Sequence, residues 1–341
     1  MAADPGLQSM PVFDSGGEGE TKDPNIPYAR QWIDEDEIEA VIGVLRSDWL
    51  TTGPKVEEFE QAFCGYVGAK YAVAVSSGTA ALHTAMYALG IGPRDEVIVP
   101  PMTFVATANA VVFQGGVPVF SDVEESTLLL NPAIIEERIT PRTRAIVAVD
   151  YAGQPCDYDT LRDIAKKHGL LLVADACHAL GARYKERMVG TLADLTVFSF
   201  HPVKHITTGE GGMITTDDLD LAECMRRFRN HGIDMDHATR TKQGTWRYEM
   251  TELGHNYRIT DFQCALGLSQ LEKLPSFIHR RREIAKMYDQ AFASVREINP
   301  LYTSPGVVNS YHLYVIRVNE RDRIFSQLRE KGIGVNVHYF P

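Results

Sequence analysis

Cysteine is scarce in this sequence, and its few copies are scattered. The 341 residues include five cysteines, an odd number, and no two of them have the spacing of zinc ligands. A disulfide framework is typical of small secreted domains that cannot build a sufficient core, and this chain is far larger. The sequence therefore predicts reduced thiols and a cytoplasmic location.

Basic residues are also fewer than acidic residues. The chain has 34 Lys and Arg against 45 Asp and Glu, which gives a formal net charge of −11 at pH 7. Nucleic acids and anionic membranes bind through basic patches, so we expect neither as a main partner. We find no apolar run of membrane-spanning length and no secretion signal. A small anionic substrate would need only local positive groups.

Changes in composition divide the chain into three parts. Residues 1–24 are rich in Gly, Pro, Ser, Asp and Glu, which predicts a disordered tail. Residues 25–270 alternate between apolar runs and helical patterns, which predicts one large domain. Residues 271–341 predict a smaller α+β C-terminal domain. A strand predicted at 334–339 is followed almost at once by the end of the sequence, which indicates that this small domain is truncated.

The large domain has the pattern of a parallel sheet. Its apolar runs are nearly continuous and alternate with helical segments, including residues 104–113, 132–139 and 158–168. Buried parallel strands have this composition because helices cover both faces of the sheet. We therefore expect an α/β fold with a mostly parallel sheet sandwiched by helices. The predicted strands lie at residues 72–75, 96–100, 118–120, 145–149, 170–174, 195–200 and 212–216.

Lys204 follows the apolar run at 195–200 and precedes a glycine-rich turn at 209–212. Ligands of open α/β sheets bind at the carboxyl ends of strands, where this lysine is expected. Burying an unpaired ammonium group is costly, so a partly desolvated lysine has a lowered pKa and can form a Schiff base with a carbonyl. Taken alone, Lys204 is better explained as a lysine that caps a strand end in a salt bridge.

A carboxylate follows a second apolar strand. Asp175 comes directly after the run at 170–174, and His178 lies three residues later. A buried carboxylate needs a cationic partner or several hydrogen-bond donors, and a pyridinium nitrogen would be such a partner. His178 could then bond a phenolic oxygen. Alone, Asp175 fits a turn residue or a helix cap.

The turn at residues 76–80 follows a third strand and contains two serines, a glycine and a threonine. Free backbone N–H groups and the helix dipole at such a turn suit a phosphate, although Ser77 or Thr79 could simply cap the helix. Ser199, just before Lys204, offers another hydroxyl. Phosphate turn, aspartate and lysine, in this chain order, predict a site for pyridoxal 5'-phosphate (PLP), which withdraws electrons from amines bound to it.

These segments resemble the DegT/DnrJ/EryC1/StrS family of sugar aminotransferases, which have the fold-type-I architecture of PLP enzymes. The resemblance covers about residue 26 to residue 341. The matching motifs are S-S-G-T-A-A-L at 76–82, P-M-T-F-V-A-T at 101–107, D-A-C-H-A-L-G at 175–181, S-F-H-P-V-K at 199–204 and G-H-N-Y-R at 254–258.

The resemblance implies roles at the cofactor ring. It implies that Lys204 forms the Schiff base and shuttles the proton, and that Asp175 pairs with the pyridine nitrogen. His178 would bond the phenolic oxygen. Phe104 would stack on the ring, although a core aromatic on a helix is a competing interpretation of Phe104.

The resemblance also implies how the phosphate and the substrate are held. Gly78, Thr79 and Ser199 would hold the phosphate. Asn256 would reach across a homodimer interface to the phosphate of the neighbouring subunit, so the active sites would be shared.

Tyr28 and His338 are implied as contacts of the sugar nucleotide, and a surface or packing role fits each of them equally well. His205, directly after the lysine, has no assigned role, and we expect it to face solvent. No metal ligand set is predicted.

Within the family, the sequence resembles most the branch of the pseudaminic-acid pathway. This implies amination at C4 of a UDP-linked 4-keto-6-deoxy-N-acetyl hexosamine, with L-glutamate as the amino donor, to give UDP-4-amino-4,6-dideoxy-N-acetyl-β-L-altrosamine. Amination of another nucleotide-linked keto sugar at C4 or C3, and a PLP-binding sensor without turnover, stay open. Lys204 speaks against the dehydratase branch, which has histidine there, and no G-x-G-x-x-G follows the first strand to indicate an NAD site.

Overall fold

The computed structural model describes residues 25–235, 240 and 242–340. The tail predicted at 1–24 lies outside these residues. The described chain forms two compact units. One contains residues 29–321 and 337–340, and the other contains residues 25–28 and 322–336.

A seven-stranded sheet forms the centre of the larger unit. Its strand order is β1-β9-β8-β5-β4-β2-β3, and β9 runs antiparallel to both of its neighbours. The other neighbouring pairs run parallel. Numbered along the chain, the strands are β1 Tyr71–Val75, β2 Glu96–Val99, β3 Val117–Phe120, β4 Thr143–Val149, β5 Leu171–Asp175, β6 Arg183–Tyr184, β7 Arg187–Met188, β8 Leu195–Ser199, β9 Gly212–Thr216, β10 Asn299–Pro300, β11 Val307–Val308 and β12 Ile316–Arg317.

Strands β11, β6 and β7 form a small separate sheet, and β10 pairs with β12.

Helices connect most of the parallel strands. The α-helices are α1 Glu35–Leu45, α2 Pro54–Val67, α3 Gly78–Ala88, α4 Ala106–Phe113, α5 Tyr158–His168, α6 Leu219–Phe228, α7 Asp261–Phe292 and α8 Arg321–Glu330.

The core lies on both faces of the central sheet. Along β5, Leu172 and Ala174 enter one apolar cluster and Val173 enters another, and Ile146 and Val147 on β4 alternate in the same way. Successive side chains of a strand point to opposite faces, so a strand covered by helices on both sides is apolar throughout. The predicted α/β fold with a mostly parallel sheet is therefore confirmed.

Several predicted elements differ in extent. Helix α4 begins at Ala106, so Phe104 lies in the loop before it. The segment predicted as a helix at 132–139 forms two short 3-10 turns, Pro132–Ile134 and Glu136–Arg138. The segment predicted as a final strand at 334–339 is not a strand: Gly334 N–H donates to Ile26 O, beside an isolated bridge between Ile26 and Ile333.

The predicted boundary between residues 270 and 271 falls inside α7. This helix begins with a capping box in which the Thr260 hydroxyl and the Gln263 side chain each bond the other's backbone N–H. Asp261 then accepts hydrogen bonds from Gly53 N at 2.8 Å and Lys55 N at 3.0 Å, which joins α7 to the start of α2. The division into a large and a truncated small domain stays a prediction.

Candidate active site

Lys204 lies in the turn after β8, where its backbone N–H donates to His201 O at 2.8 Å. Its side chain is half-buried. Burial lowers the pKa of the ammonium group, although the neighbouring Cys177 and Asp175 act in the opposite direction. The Lys204 amine is therefore closer to its neutral, nucleophilic form than an exposed lysine would be.

Asp175 ends β5, and the pairing of Asp175 with Val197 on β8 brings it to the strand that leads to the lysine. The carboxylate is buried. Its Oδ2 accepts a 2.6 Å hydrogen bond from the Thr107 hydroxyl, and Oδ1 accepts a 3.3 Å bond from Cys177 N. Such donors stabilise a negative charge at the place where a cationic ring nitrogen could pair with it.

The start of α3 forms a tight cradle with the end of β8. Ser77 caps the helix by accepting a 3.0 Å hydrogen bond from Ala80 N, so the N-cap interpretation is confirmed for Ser77. A Cβ atom at Gly78 would lie 2.9 Å from Ser199 Cβ and 3.5 Å from Cys177 Sγ, which only glycine avoids. Thr79 is exposed in the first turn. The free N–H groups of this turn and two hydroxyls suit a phosphate.

The side chain of His178 is buried. Its Nε2 lies 3.0 Å from the Tyr339 hydroxyl, whereas Nδ1 has no hydrogen-bond partner within the described part of the chain. Burial, and secondarily the charge of Lys204, holds the pKa of His178 well below its usual value. The imidazole is therefore neutral at physiological pH.

Residues 310–312, which are distant from His178 in the sequence, pack against it. Ser310 is fully buried, and its hydroxyl donates to His178 O at 3.3 Å. The His312 ring lies 4.4 Å from the His178 ring. His205, which we predicted to face solvent, is instead buried, because its Nε2 bonds Ser310 O at 3.3 Å and its ring lies 5.7 Å from that of His312.

The last described residues of the larger unit lie close to His178 and Phe104. Tyr339 lies between Phe104, at 6.1 Å between ring centroids, and His178. Phe104 itself is 56% exposed, which contradicts the core-aromatic interpretation. The backbone O of His338 accepts a hydrogen bond from the Tyr151 hydroxyl. Burial, and then the charge of Lys204, lower the pKa of the His338 ring.

Two further predicted site residues, Asn256 and Tyr28, belong to other segments of the chain. Asn256 is exposed and pairs through its backbone with Asn230. The next residue, Tyr257, accepts a 2.8 Å hydrogen bond from Ser76 N and so ties this segment to the phosphate turn. Tyr28 belongs to the smaller compact unit.

Sequence reasoning missed Thr107, Ser310, His312 and Tyr339. The motif at 101–107 includes Thr107, but only the structure shows that its hydroxyl reaches Asp175. The residues that sequence reasoning did predict fit PLP on three independent grounds: a partly desolvated amine, a buried carboxylate with matched donors, and a helix start that has no room for a Cβ. The fold and the site are those of a fold-type-I PLP-dependent enzyme.

Comparisons with known proteins agree with this class. The sequence matches the DegT/DnrJ/EryC1/StrS aminotransferase family over residues 31–341. It is 43% identical over 324 residues to the spore coat polysaccharide biosynthesis protein SpsC of Bacillus subtilis, which covers 93% of this chain and 83% of SpsC. The chain belongs to the DegT/DnrJ/EryC1/StrS family and is a PLP-dependent sugar aminotransferase.

Solved structures of similar proteins support the same conclusion. The putative sugar aminotransferase Spr1654 of Streptococcus pneumoniae, in its PMP form, superposes with a TM-score of 0.88 at 36% identity and covers 93% of this chain and 86% of its own. Helicobacter pylori PseC, an aminotransferase involved in the biosynthesis of pseudoaminic acid, has a TM-score of 0.87 at 37% identity, with 93% and 85% covered.

In the described part of the chain, none of the helices has the length and hydrophobicity of a membrane span. Within the same residues, no group of three or more His, Cys, Asp and Glu side chains is arranged to hold a metal ion.

Proposed function

We propose that this protein transfers the amino group of L-glutamate to C4 of UDP-4-keto-6-deoxy-N-acetyl-β-L-altrosamine, or of a close relative of that sugar, in pseudaminic acid biosynthesis. The observation that carries the proposal is the likeness to PseC, at 37% identity over 93% of this chain, combined with the partly desolvated Lys204 and the buried Asp175.

PLP, when bound, supplies an aldehyde that captures amines and a ring that withdraws electrons from them. Lys204 is the residue proposed to hold the cofactor and to carry the proton between the donor carbon and the cofactor. A proton shuttle works best with a pKa near the working pH, and burial moves the pKa of Lys204 in that direction. Its position beside Asp175 and Cys177 keeps the amine within the cofactor site.

Asp175 and His178 are proposed to hold the two sides of the ring. The Asp175 carboxylate, fixed by Thr107, would pair with the ring nitrogen and keep that nitrogen protonated. The Nε2 atom of His178, which lies 3.0 Å from the Tyr339 hydroxyl, would bond the phenolic oxygen. Phe104, exposed beside the pocket, would stack on the ring.

The phosphate is proposed to bind at the start of α3. Gly78 allows the helix to approach Ser199 closely, and Thr79 adds a second hydroxyl. His338, whose pKa is lowered by burial and then by the charge of Lys204, is proposed as one contact of the sugar nucleotide, and Tyr28 as another.

We also propose a homodimer with shared sites. Helix α4 and the segment before Asn256 expose large apolar side chains, including Phe113 and Leu253, which line one cleft of ≈390 Å³. Exposed apolar surface of this kind is typical of a protein interface. A second copy covering this surface would bring an Asn256 towards the phosphate turn of its partner. The five free cysteines are consistent with the reducing cytoplasm as the location.

A second candidate function is amination of a different nucleotide-linked keto sugar. The 43% identity to SpsC, named for spore coat polysaccharide rather than pseudaminic acid, favours it. Pocket loops decide which sugar and nucleotide bind, and the cofactor residues are compatible with either.

The test starts from purified protein with PLP that is converted to the pyridoxamine form by L-glutamate. UDP-, dTDP- and GDP-linked 4-keto-6-deoxy sugars are then added one at a time, and the return of the visible PLP spectrum is followed. Fast return with the UDP-linked N-acetyl sugar supports the proposal, and return with only a dTDP or GDP sugar supports the second candidate. No return with any sugar would indicate a PLP-binding protein without turnover. Lys204→Ala is the control, which should bind PLP without any sugar-dependent change.

A further inference from the structure

The two ring nitrogens of His178 have different surroundings. Nε2 lies 3.0 Å from the Tyr339 hydroxyl. Nδ1 is buried and has no hydrogen-bond partner within the described chain. The Ser310 hydroxyl does not supply one, because it donates to the carbonyl oxygens of His178 and Gly153 at 3.3 Å and 3.4 Å.

These surroundings determine where the proton of the neutral ring sits. A neutral imidazole carries one proton, on one of its two nitrogens. Buried N–H groups without an acceptor are rarer in folded proteins than acceptors without a donor. The proton of His178 is therefore expected on Nε2, and the Tyr339 hydroxyl can accept it as readily as it can donate.

His312 lies against this ring with an interplanar angle of 44°. Its own Nδ1 is also buried without a partner among the described residues. Burial, followed by His178 and Lys204, holds the pKa of His312 well below its usual value, so this ring is neutral too. The two imidazoles are therefore tilted against each other, and His312 offers no hydrogen bond to His178 Nδ1.

The backbone around His312 is fixed on both sides. Arg281 Nη1 donates to His312 O at 3.3 Å and to Tyr311 O at 3.1 Å, and Leu313 N donates to Ala152 O at 3.2 Å. A Cβ at Gly153 would lie 2.9 Å from His312 N, so the segment approaches as closely as a glycine allows. The His312 ring is thus held by its backbone in contact with His178.

We propose that His312 is a positioning residue that keeps His178 in its Nε2–H tautomer, so that His178 presents a hydrogen-bond donor to the pocket. The inference rests on the proposed function only in naming the acceptor, which would be the phenolic oxygen of PLP. The state of the ring itself is a property of the cofactor-free protein.

The test is nitrogen-15 NMR of the histidine rings in cofactor-free protein, with the His178 signals assigned by comparison with His178→Gln. In the wild type we expect the Nε2–H form to exceed the Nδ1–H form by about ten to one or more. His312→Phe keeps a ring that offers no hydrogen bond, so the ratio should persist. His312→Asp places a carboxylate, which can only accept, beside the His178 ring, and the proton should move to Nδ1.

Ser310→Ala is the matched control, because its hydroxyl bonds carbonyl oxygens and should not affect the tautomer. A wild-type His178 protonated on Nδ1 would overturn the proposal, as would loss of the Nε2–H form in His312→Phe. If folded His312→Asp kept the wild-type ratio, His312 would not be the positioning residue. If His312→Asp does not fold, the wild-type and His312→Phe spectra still decide the question. Failure to aminate a sugar would leave all of these outcomes unchanged.

Discussion

The Thr107 hydroxyl donates a 2.6 Å hydrogen bond to Oδ2 of Asp175, and both residues are buried. The Thr107 oxygen also lies 2.7 Å from that of Thr103. Since Thr107 has one proton and gives it to the carboxylate, Thr103 donates to Thr107. The two hydroxyls form a relay that ends on the proposed partner of the pyridine nitrogen.

Replacing Thr107 with Val should weaken PLP binding by about tenfold or more, because a hydrogen bond to a charged group contributes about 1.5–3 kcal/mol. The measurement is a titration of cofactor-free protein with PLP, followed by visible absorbance. Thr84→Val is the control, because the buried Thr84 hydroxyl has no hydrogen-bond partner among the described residues. Equal PLP affinity in Thr107→Val and wild type would contradict the role of the relay.

Gly78→Ala should loosen the phosphate cradle, because the new Cβ would lie 2.9 Å from Ser199 Cβ. We expect PLP affinity to fall by about tenfold or more, since overpacking typically costs about 1–3 kcal/mol. Gly65→Ala in α2 is the matched control, because that Cβ would meet nothing within 4 Å. It should leave PLP binding unchanged and stabilise the helix by about 0.5–1 kcal/mol. The same PLP affinity in both variants would argue against a phosphate at this turn.

Asp150 should make stability depend on pH. Its carboxyl is fully buried, and burial raises its pKa to about 7 from an ordinary 3.8. Between these values the folded state binds the proton and the unfolded state does not, so stability falls as pH rises, by at most about 1.4 kcal/mol per unit. Above pH 7 this dependence ends.

Asp150→Asn removes the titration and keeps an oxygen that can accept from Cys156 N and the Tyr158 hydroxyl. Urea unfolding of both proteins between pH 5 and 8 is the measurement. Relative to the wild type, the variant should gain stability steadily from pH 5 to 7. A constant difference across that range would show that Asp150 does not titrate there.

Subunit mixing tests the shared active site. Lys204→Ala should lose amination by a factor of about 10²–10⁴, the usual contribution of a positioned acid–base group. Asn256→Ala should lose about tenfold or more through a missing bond to a charged phosphate. If Asn256 acts across the dimer, an equal mixture of the two variants should recover about a quarter of wild-type activity, because half of the dimers then contain one intact site. Activity no higher than the average of the separate variants would place Asn256 in its own subunit's site or outside the site.

The strand ends were predictable because each has a local signature. Asp175 and Lys204 are polar residues that follow uninterrupted apolar runs, and strand ends of a parallel sheet meet at one edge. No comparable pattern in the sequence indicated that β9 runs antiparallel to its neighbours. It follows β8 through a connection without a helix, and the chain simply returns beside the strand it has left.

The packing of Ser310 and His312 against His178 could not be predicted, for a different reason. Ser310 and His312 lie in a segment that resembles an ordinary strand, and only tertiary contacts place it under His178. His205 was predicted to face solvent because polar residues in loops usually do, but the arrival of Ser310 buries it. Phe104 continues the apolar pattern of α4, so the pattern alone could not show that the helix begins two residues later.

The pairing of Ser310 with His178 joins residues that are 132 positions apart in the chain. A ribosome adds about 5–20 residues per second, so roughly ten seconds pass between the synthesis of the histidine and that of the serine beneath it. Asp175 and Lys204 are both made before Ser310, so the nascent sheet first carries them without the serine that bonds His178 O. A newly made chain can therefore complete the packing against His178 only after Ser310 has been synthesised.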